Sequence, residues 1–413
     1  MSVLLQSPVG WLLSHLQFLN SQCGKGKRFR GEYFQLLRPH ISGGGAVPSQ
    51  ESPMLPTKLQ EDIPGDRKKR KRRHCPLNQG ELDALEYHLK ISAMILEGSK
   101  GLVQEGLKKG LLGALSGEDE HGGSDAFVAV HGERCTLTEL CEMEKQLPLM
   151  NGKQRHILKV ANTQTISTNE LDLLSFMAEN DTDKATLVHL MGQKYLVPPN
   201  CSFLLSDISR MQPLLDYGKK YDVIVLDPPW ENKSVKRSNR YGYLPTWQIK
   251  QLPVPELAAP NCLVITWVTN RQKHLRFVKE ELYPHWSVEP LAEWHWVKIT
   301  RAGEFVFPLD STHKKPYEVL ILGRLRTGTC SPSRSKSEVT EVPVPDHKLI
   351  VSVPCTLHSH KPPLTEVLTE YVKPDAECLE LFARNLQTGW TCWGNEVLKF
   401  QHIDYFHSLE DGS

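Results

Sequence analysis

Tyr221-Asp222-Val223-Ile224-Val225-Leu226-Asp227-Pro228-Pro229-Trp230 is the stretch whose pattern decides the fold. A short β-branched run that stops at two prolines reads as a strand, with an acid, Asp227, at its end. Working outward, Cys262 to Val268 is a second such run, and Asn270 to Tyr283 reads as a helix. Pro316 to Gly323 and Lys348 to Val353 read as strands, separated by a Ser- and Pro-containing loop near 327–345. Leu364 to Val372 reads as a helix, and Cys378 to Phe382 and Trp390 to Trp393 close the series as strands. From Lys194 onward this alternation predicts a doubly wound α/β sheet. In such sheets ligands sit beyond the carboxyl ends of the strands.

The whole chain has 413 residues, enough for one large domain and a smaller one. Its 39% apolar and 23% charged content is ordinary for a globular protein. The net charge of +1 conceals the run Arg67-Lys68-Lys69-Arg70-Lys71-Arg72-Arg73. Seven consecutive cations keep their water and do not pack into a core. The run reads as a nuclear import signal or a nucleic-acid contact, with a solvated linker as the plain alternative. Residues 1–76 are expected to be mostly disordered: 40–76 carry Gly43-Gly44-Gly45, several prolines and the cations, without apolar periodicity. Residues 77–193 are expected to form a small helical region. There Leu82, Leu85, Leu89, Ala93 and Leu96 recur at helical spacing, and Ser167 and Glu170 have capping-box spacing. This region carries no recognisable chemistry and is expected to pack on the rest of the chain or on a partner. The third segment is 194–413.

Ten scattered cysteines without a CxxC pair read as reduced thiols of an intracellular protein. Cys355, His358 and His360 lack a second ligand pair, so no metal is expected. No apolar run approaches the ~18–20 residues that span a bilayer. Met1 to Asn20 is a poor secretory signal, interrupted by Pro8, Gly10 and His15. Lys25, Lys27, Arg28, Arg30 and Arg38 against Glu32 also suit a mitochondrial presequence, which ranks behind the nucleus.

The chemistry of Asp227-Pro228-Pro229-Trp230 suits an aromatic amine such as the 6-amino group of adenine. That nitrogen is a poor nucleophile, because its lone pair is delocalised into the ring. It must be held in line with its hydrogens engaged. Asp227 offers an anionic acceptor for one N–H, and the carbonyl of Pro228 can accept the other. Proline fixes φ and brings no competing N–H. Trp230 offers a face for stacking the base, worth ~1–3 kcal/mol. Orientation and stabilisation of positive charge developing on nitrogen would supply the catalysis. The plain alternative is a strand-to-turn Asp-Pro followed by a core tryptophan. Further along, Glu377 to Asn385 is a strand carrying an acid into a tight loop without the usual glycines, and Asn395 and Glu396 end a strand where ribose hydroxyls are often held. Lys361 suits a carboxylate, and Asp207, after the apolar run Phe203 to Leu205, suits an exocyclic amine. Taken alone, a loop lysine is usually just solvated, and an acid in the place of Asp207 is more often an N-cap or turn residue.

In their order along the chain, Asp227 to Trp230, Ser359-His360-Lys361-Pro362, Leu379 to Arg384 and Trp393-Gly394-Asn395-Glu396 together resemble the MT-A70 family of adenine methyltransferases. The resemblance covers about residues 194 to 406. Met191 to Tyr195, Asn232 to Tyr241 and Trp294 to Lys298 narrow it to a vertebrate branch of that family. It implies a Rossmann-like methyltransferase sheet and S-adenosylmethionine as cofactor. Asp227, Pro228, Pro229 and Trp230 would then hold the target adenine. Asp207, Ile208, Asp227, Lys361, Arg384, Asn385, Asn395 and Glu396 would line the cofactor pocket, with the loops after Trp230 and around Lys361 gating access.

The resemblance further implies N6-methylation of 2′-O-methyladenosine in a small nuclear RNA (the U2 species), with effects on splicing, and DNA adenine as a second substrate. Asn232, Lys236, Arg237, Arg240, Tyr241 and Lys298 would face the nucleic acid; cations there meet phosphates and aromatics stack bases. The competing expectation is a catalytically silent nucleic-acid-binding subunit. A monomer or weak dimer is expected, with no membrane contact.

Overall fold

The computed structural model describes residues 2–24, 26–40, 79–113, 136–145, 157–160, 172–231, 243–311, 314–326 and 342–409. Numbered along the chain, the first strands are β1 (Val3–Ser7), β2 (Gly10–Leu13), β3 (Lys27–Phe29), β4 (Ile157–Lys159) and β5 (Met177–Asn180). Next come β6 (Thr186–Leu190), β7 (Gln193–Val197), β8 (Cys201–Leu204), β9 (Tyr221–Leu226) and β10 (Ala258–Val268). The last six are β11 (Val288–Lys298), β12 (Tyr317–Leu325), β13 (Leu349–Ser352), β14 (Cys378–Leu381), β15 (Trp390–Trp393) and β16 (Phe406–Ser408). Among the described residues, twelve of these form one sheet in the order β1-β2-β13-β11-β12-β10-β9-β14-β15-β8-β5-β4.

The block β10-β9-β14-β15-β8 is parallel throughout, the arrangement of a doubly wound Rossmann-like α/β sheet. β9 lies inside it and is buried on both faces. Ile224 and Leu226 face one core with Val264 and Leu381, while Val223 and Val225 face another with Ile265 and Cys392. Two-sided burial explains why the run is apolar without alternation. Each such side chain contributes ~1.5–3 kcal/mol when fully buried. β12 and β11 add antiparallel strands beside β10, and β13 pairs parallel with β11.

The expectation that residues 1–76 are mostly disordered is corrected over 2–24 and 26–40. β1 and β2 form a hairpin, and β2 pairs parallel with β13, so the start of the chain extends the main sheet. Trp11, Leu12 and Leu13 are buried there, and the apolar content that read as a weak signal sequence is core. Gly10 makes the junction possible: it has φ +153, and a Cβ would lie 1.9 Å from the Leu349 carbonyl oxygen. Helix α1 (His15–Gln22) follows, capped by Ser14, whose hydroxyl accepts from the Gln17 amide. β3 then pairs with β16, joining the two ends of the described chain. The cationic run 67–73, residues 41–76 of the expected linker, and Ser167 and Glu170 lie outside the described residues.

The segment 77–193 mixes helix with strand, since β4, β5 and β6 fall within it and β4 and β5 belong to the main sheet. Its helix α2 (Gln79–Lys108) packs on β1, β2, β11 and β13, but not through the leucine stripe. Ile91, Ile95, Ser99 and Leu102 are buried, whereas Leu82, Leu85, Leu89 and Leu96 are exposed. Glycines serve where the helix comes closest: a Cβ on Gly98 would lie 2.7 Å from Leu349 Cδ1, and one on Gly106 would lie 2.7 Å from Leu12 Cδ2. Polar contacts add to the packing, with Tyr87 donating to Glu293 and His88 paired with the Tyr317 hydroxyl. No helix among the described residues is long and apolar enough to cross a membrane.

Candidate active site

The parallel strands deliver the predicted residues to one end of the sheet. β9 ends at Asp227, β14 runs into Arg384 and Asn385, β15 into Asn395 and Glu396, and β8 into Asp207. The Asp227 amide donates to the Leu381 carbonyl (3.3 Å), which fixes the acid against the neighbouring strand end. The loop after β14 turns without glycine because Phe382 takes a left-handed φ of +62, and Ser359, two residues before Lys361, does the same at +63. For bulky residues that conformation is strained, and such strain concentrates at functional sites. Gly394 lets β15 approach this loop, since a Cβ there would lie 2.7 Å from the Ala383 carbonyl oxygen.

A chain of ion pairs crosses the strand ends. Arg384 donates through Nη1 to Asp227 Oδ2 (2.8 Å) and through Nε to Glu396 Oε2 (3.2 Å). Lys399 Nζ lies 2.8 Å from Glu396 Oε1. On the other side Lys361 Nζ lies 3.5 Å from Asp227 Oδ1 and 2.6 Å from Glu318 Oε2, and Lys298 also binds Glu318. Burial pushes the Glu318 carboxyl up, but Lys298 and Lys361 outweigh it and hold the group well below its usual range. The two basic groups respond in the opposite sense. Burial lowers Lys361, yet Asp227 and Glu318 raise it overall; burial likewise lowers Arg384, and Asp227 and Glu396 overcome that. Each group is kept charged by its neighbours.

Asp207, predicted for the cofactor, caps the turn Ile208–Arg210: its Oδ1 accepts from the Ser209 amide (3.0 Å) and hydroxyl (2.9 Å), and Lys145 lies 3.2 Å away. Burial pushes its carboxyl up, and Ser209 with Lys145 pull it below the usual range. Ile208 packs against the core beside it. Asn385 lines a crevice with Trp267, Lys361, Pro362, Glu380 and Gln387. Lys298 reaches the cluster only through Glu318, and stands over the Trp296 ring at 4.4 Å. Asn232, Lys236, Arg237, Arg240 and Tyr241 lie outside the described residues.

Trp230 departs from the expected open stacking face. It is 6% exposed, its indole N–H donates to the Trp267 carbonyl (2.8 Å), and its ring meets His274 at 4.9 Å. It builds a wall of the site, because Trp230 and Glu231 are held against the Gln272–Arg276 helix, where the Glu231 carbonyl lies 3.1 Å from His274 Nε2. Pro229 accepts from the Leu244 amide (3.0 Å), while Pro228 is buried at the strand end. His360 is also a packing residue, stacked on Phe400 at 4.0 Å, and Cys355 is a buried free thiol pushed up to about 12 by that burial. Among the described residues no cluster of His, Cys, Asp and Glu is placed to hold a metal.

One acid of the site escapes sequence reading, and a second is legible only as the acid on its strand. Glu318 sits on β12, where a lone charge ordinarily faces water; its place is set by the antiparallel pairing of Val319 with Val268 at the end of β10. Glu380 sits on β14, buried in the crevice, with Gln387 donating to it at 2.7 Å. Its carboxyl is pushed up to about 7, first by burial, with Asp227 adding to the rise and Gln387 opposing it.

Residues 221–396 match the MT-A70 family model. The chain is 58% identical over 394 residues to the N(6)-adenine-specific methyltransferase METTL4 of Homo sapiens, covering 93% of this chain and 82% of that protein. It is 37% identical over 219 residues to the N6-methyladenosine RNA methyltransferase MTA1 of Pyricularia oryzae, covering 50% of this chain and 55% of that one. Over 224 residues it is 32% identical to a DNA N6-methyl methyltransferase of Caenorhabditis elegans, covering 51% and 56%.

Proposed function

Because the chain belongs to the MT-A70 family and is an N6-adenine methyltransferase drawing on S-adenosylmethionine, we propose that within its substrate class, RNA or DNA, it methylates 2′-O-methyladenosine of a small nuclear RNA of the U2 species, with effects on splicing. The observation that carries the activity is the meeting of Asp227, Arg384 and Glu396 at the ends of three adjacent parallel strands, with Lys361 closing on Asp227. The RNA target rests on the stretches that narrow the resemblance, Met191 to Tyr195, Asn232 to Tyr241 and Trp294 to Lys298.

The crevice is narrow, about 10 Å³, so what supports the cofactor reading is the chemistry of its lining. Lys361 is a cation for a carboxylate, Glu380 and Asn385 offer an acceptor and a donor for hydroxyls, and Trp267 with Pro362 gives an apolar wall. When bound, S-adenosylmethionine supplies an electrophilic methyl group. The protein's part is orientation. Each carboxylate oxygen has about two acceptor positions. Asp227 therefore accepts from Arg384 and still has capacity for an adenine N–H. The ion pairs hold its plane fixed, so alignment needs no reorganisation during reaction.

Matched oligonucleotides carrying adenosine, 2′-O-methyladenosine or deoxyadenosine test the substrate. Preference for the 2′-O-methyl form is expected, and equal rates on all three would remove the claim. Deoxyadenosine is the second reading, favoured by the nematode relative named for DNA. Binding of the strands without any transfer would instead mark a silent subunit. A nuclear location is inferred from the cations at 67–73; replacing all seven with alanine should move the protein out of the nucleus, and unchanged nuclear signal would refute the assignment.

A further inference from the structure

Tryptophan usage is lopsided. The chain has nine tryptophans, and eight of them are buried, each 6% exposed or less. Trp247 is 57% exposed. A single exposed apolar residue is ordinary on a surface, so the weight rests on how Trp247 is held and on what surrounds it. Trp247 is also rigidly presented. It lies on the short helix Thr246–Lys250, whose Ile249 is fully buried and whose Lys250 carbonyl accepts from the Trp286 indole (3.1 Å). Tyr243, four residues earlier, is 41% exposed. The Leu244–Pro229 hydrogen bond ties this segment to the Asp-Pro-Pro-Trp loop itself.

Between the segment and that loop lies a cavity of about 220 Å³. Its walls include Trp230, Tyr243, Thr246, Lys273 and His274. Nδ1 of His274 is buried and has no hydrogen-bond partner among the described residues. The Lys273 side chain is 73% exposed at the rim, 3.8 Å from Glu231. The Tyr243 ring, a cation and an unsatisfied polar atom thus lie together beside the Asp-Pro-Pro-Trp loop, and Trp247 stands just outside the cavity, one residue after its wall residue Thr246.

We propose that Trp247, Tyr243 and this cavity form a subsite for the bases of single-stranded nucleic acid flanking the target adenine, with Lys273 meeting the backbone phosphate. The inference rests on the proposed action on nucleic acid. A target base must leave its stack to reach a strand-end pocket, which leaves its neighbours unstacked as well. Exposed aromatic faces take up such bases with little sequence preference, and a nearby cation follows the backbone. A protein partner would have no need of a cavity continuous with the Asp-Pro-Pro-Trp loop.

The full-length chain carrying Trp247→Ala or Trp247→Phe tests this. Substrates are a single-stranded adenine-containing oligonucleotide of about a dozen residues, within the ~4–16 nucleotides such surfaces cover, and a minimal adenosine nucleotide. For the long strand KM should rise about 5- to 150-fold in Trp247→Ala, the range of one lost base–aromatic stack. Its kcat, the cofactor affinity and the KM of the minimal substrate should not change, and phenylalanine should restore most of the loss. Acrylamide quenching of tryptophan fluorescence gives a second readout: the quenchable fraction, which Trp247 dominates, should fall when the long strand binds. An unchanged KM in Trp247→Ala, or quenching indifferent to the strand, overturns the subsite and leaves Trp247 to a protein partner. Should the wild-type chain transfer no methyl group, the substrate reading has failed, and quenching, which requires only binding, still decides the subsite.

Discussion

Replacing Glu380 by glutamine should make the free protein more stable at alkaline pH while weakening its cofactor site. Glu380 is 8% exposed on β14, and its carboxyl is raised from 4.5 to about 7. At 1.36 kcal/mol per pH unit, that rise corresponds to about 3 kcal/mol. The folded chain holds this proton more tightly than the unfolded chain does. Stability is therefore present below pH 4.5 and is lost as pH rises through 7. Glutamine removes the ionisation and keeps an amide oxygen to accept from Gln387. Urea unfolding of wild type and Glu380→Gln should thus differ by about 1 kcal/mol or less at pH 5 and by up to about 3 kcal/mol at pH 8, in favour of the variant. Calorimetry at pH 8 should show the opposite trend for S-adenosylmethionine. Losing a charged acceptor costs ~1.5–3 kcal/mol, or about 10- to 100-fold in affinity. A stability difference that does not grow between pH 5 and pH 8 would refute the burial argument. Undiminished cofactor affinity would remove Glu380 from the site.

Glu318→Gln leaves Lys298 without its anion and Lys361 with Asp227 alone; cofactor affinity should fall about tenfold by calorimetry, since charge-assisted bonds are roughly twice as strong as neutral ones. Gly10→Ala drives a Cβ into the Leu349 carbonyl, and the destabilisation should reach the upper end of ~1–3 kcal/mol in a denaturant titration, with faster proteolysis of the first forty residues or so.

The central strands were legible because parallel strands buried on both faces are unbroken apolar runs between turn residues: β9 and β15 appear with the expected bounds, and β14 ends one residue early. Their carboxyl-terminal residues were legible for the same reason, since strand ends are where such sheets place function. What was hidden depended on pairing at the edges. β11, eleven residues long, mixes glutamates with tryptophans and shows no clean period, and its neighbours β12 and β13 decide its fate. The β1–β2 hairpin was masked by the basic, acid-poor composition around it, although Gly10 and buried Trp11 are what dock it. On α2 the leucine periodicity was real but named the exposed face; the packed face runs through Ile91, Ile95, Ser99 and Leu102, with Gly98 and Gly106 where the helix comes closest to Leu349 and Leu12. Glu318 was out of reach, and Glu380 was legible only as the acid on its strand, for a related reason: what turns a charged strand residue into part of a site is the lysine or glutamine that folding brings from over forty residues away in the first case and from the next loop in the second.

The most direct test of the central claim is methyl transfer by Asp227→Asn. The substitution keeps the volume at the end of β9 and removes the anion that Arg384 and Lys361 hold in place. Wild type and variant are compared in single-turnover transfer from S-adenosylmethionine to an adenine-containing oligonucleotide, with both ligands saturating. If Asp227 engages the adenine amine, the rate should fall ~10²–10³-fold, the loss typical of removing one preorganised electrostatic contact, while both ligands still bind. A variant that transfers methyl groups at the wild-type rate would contradict the account.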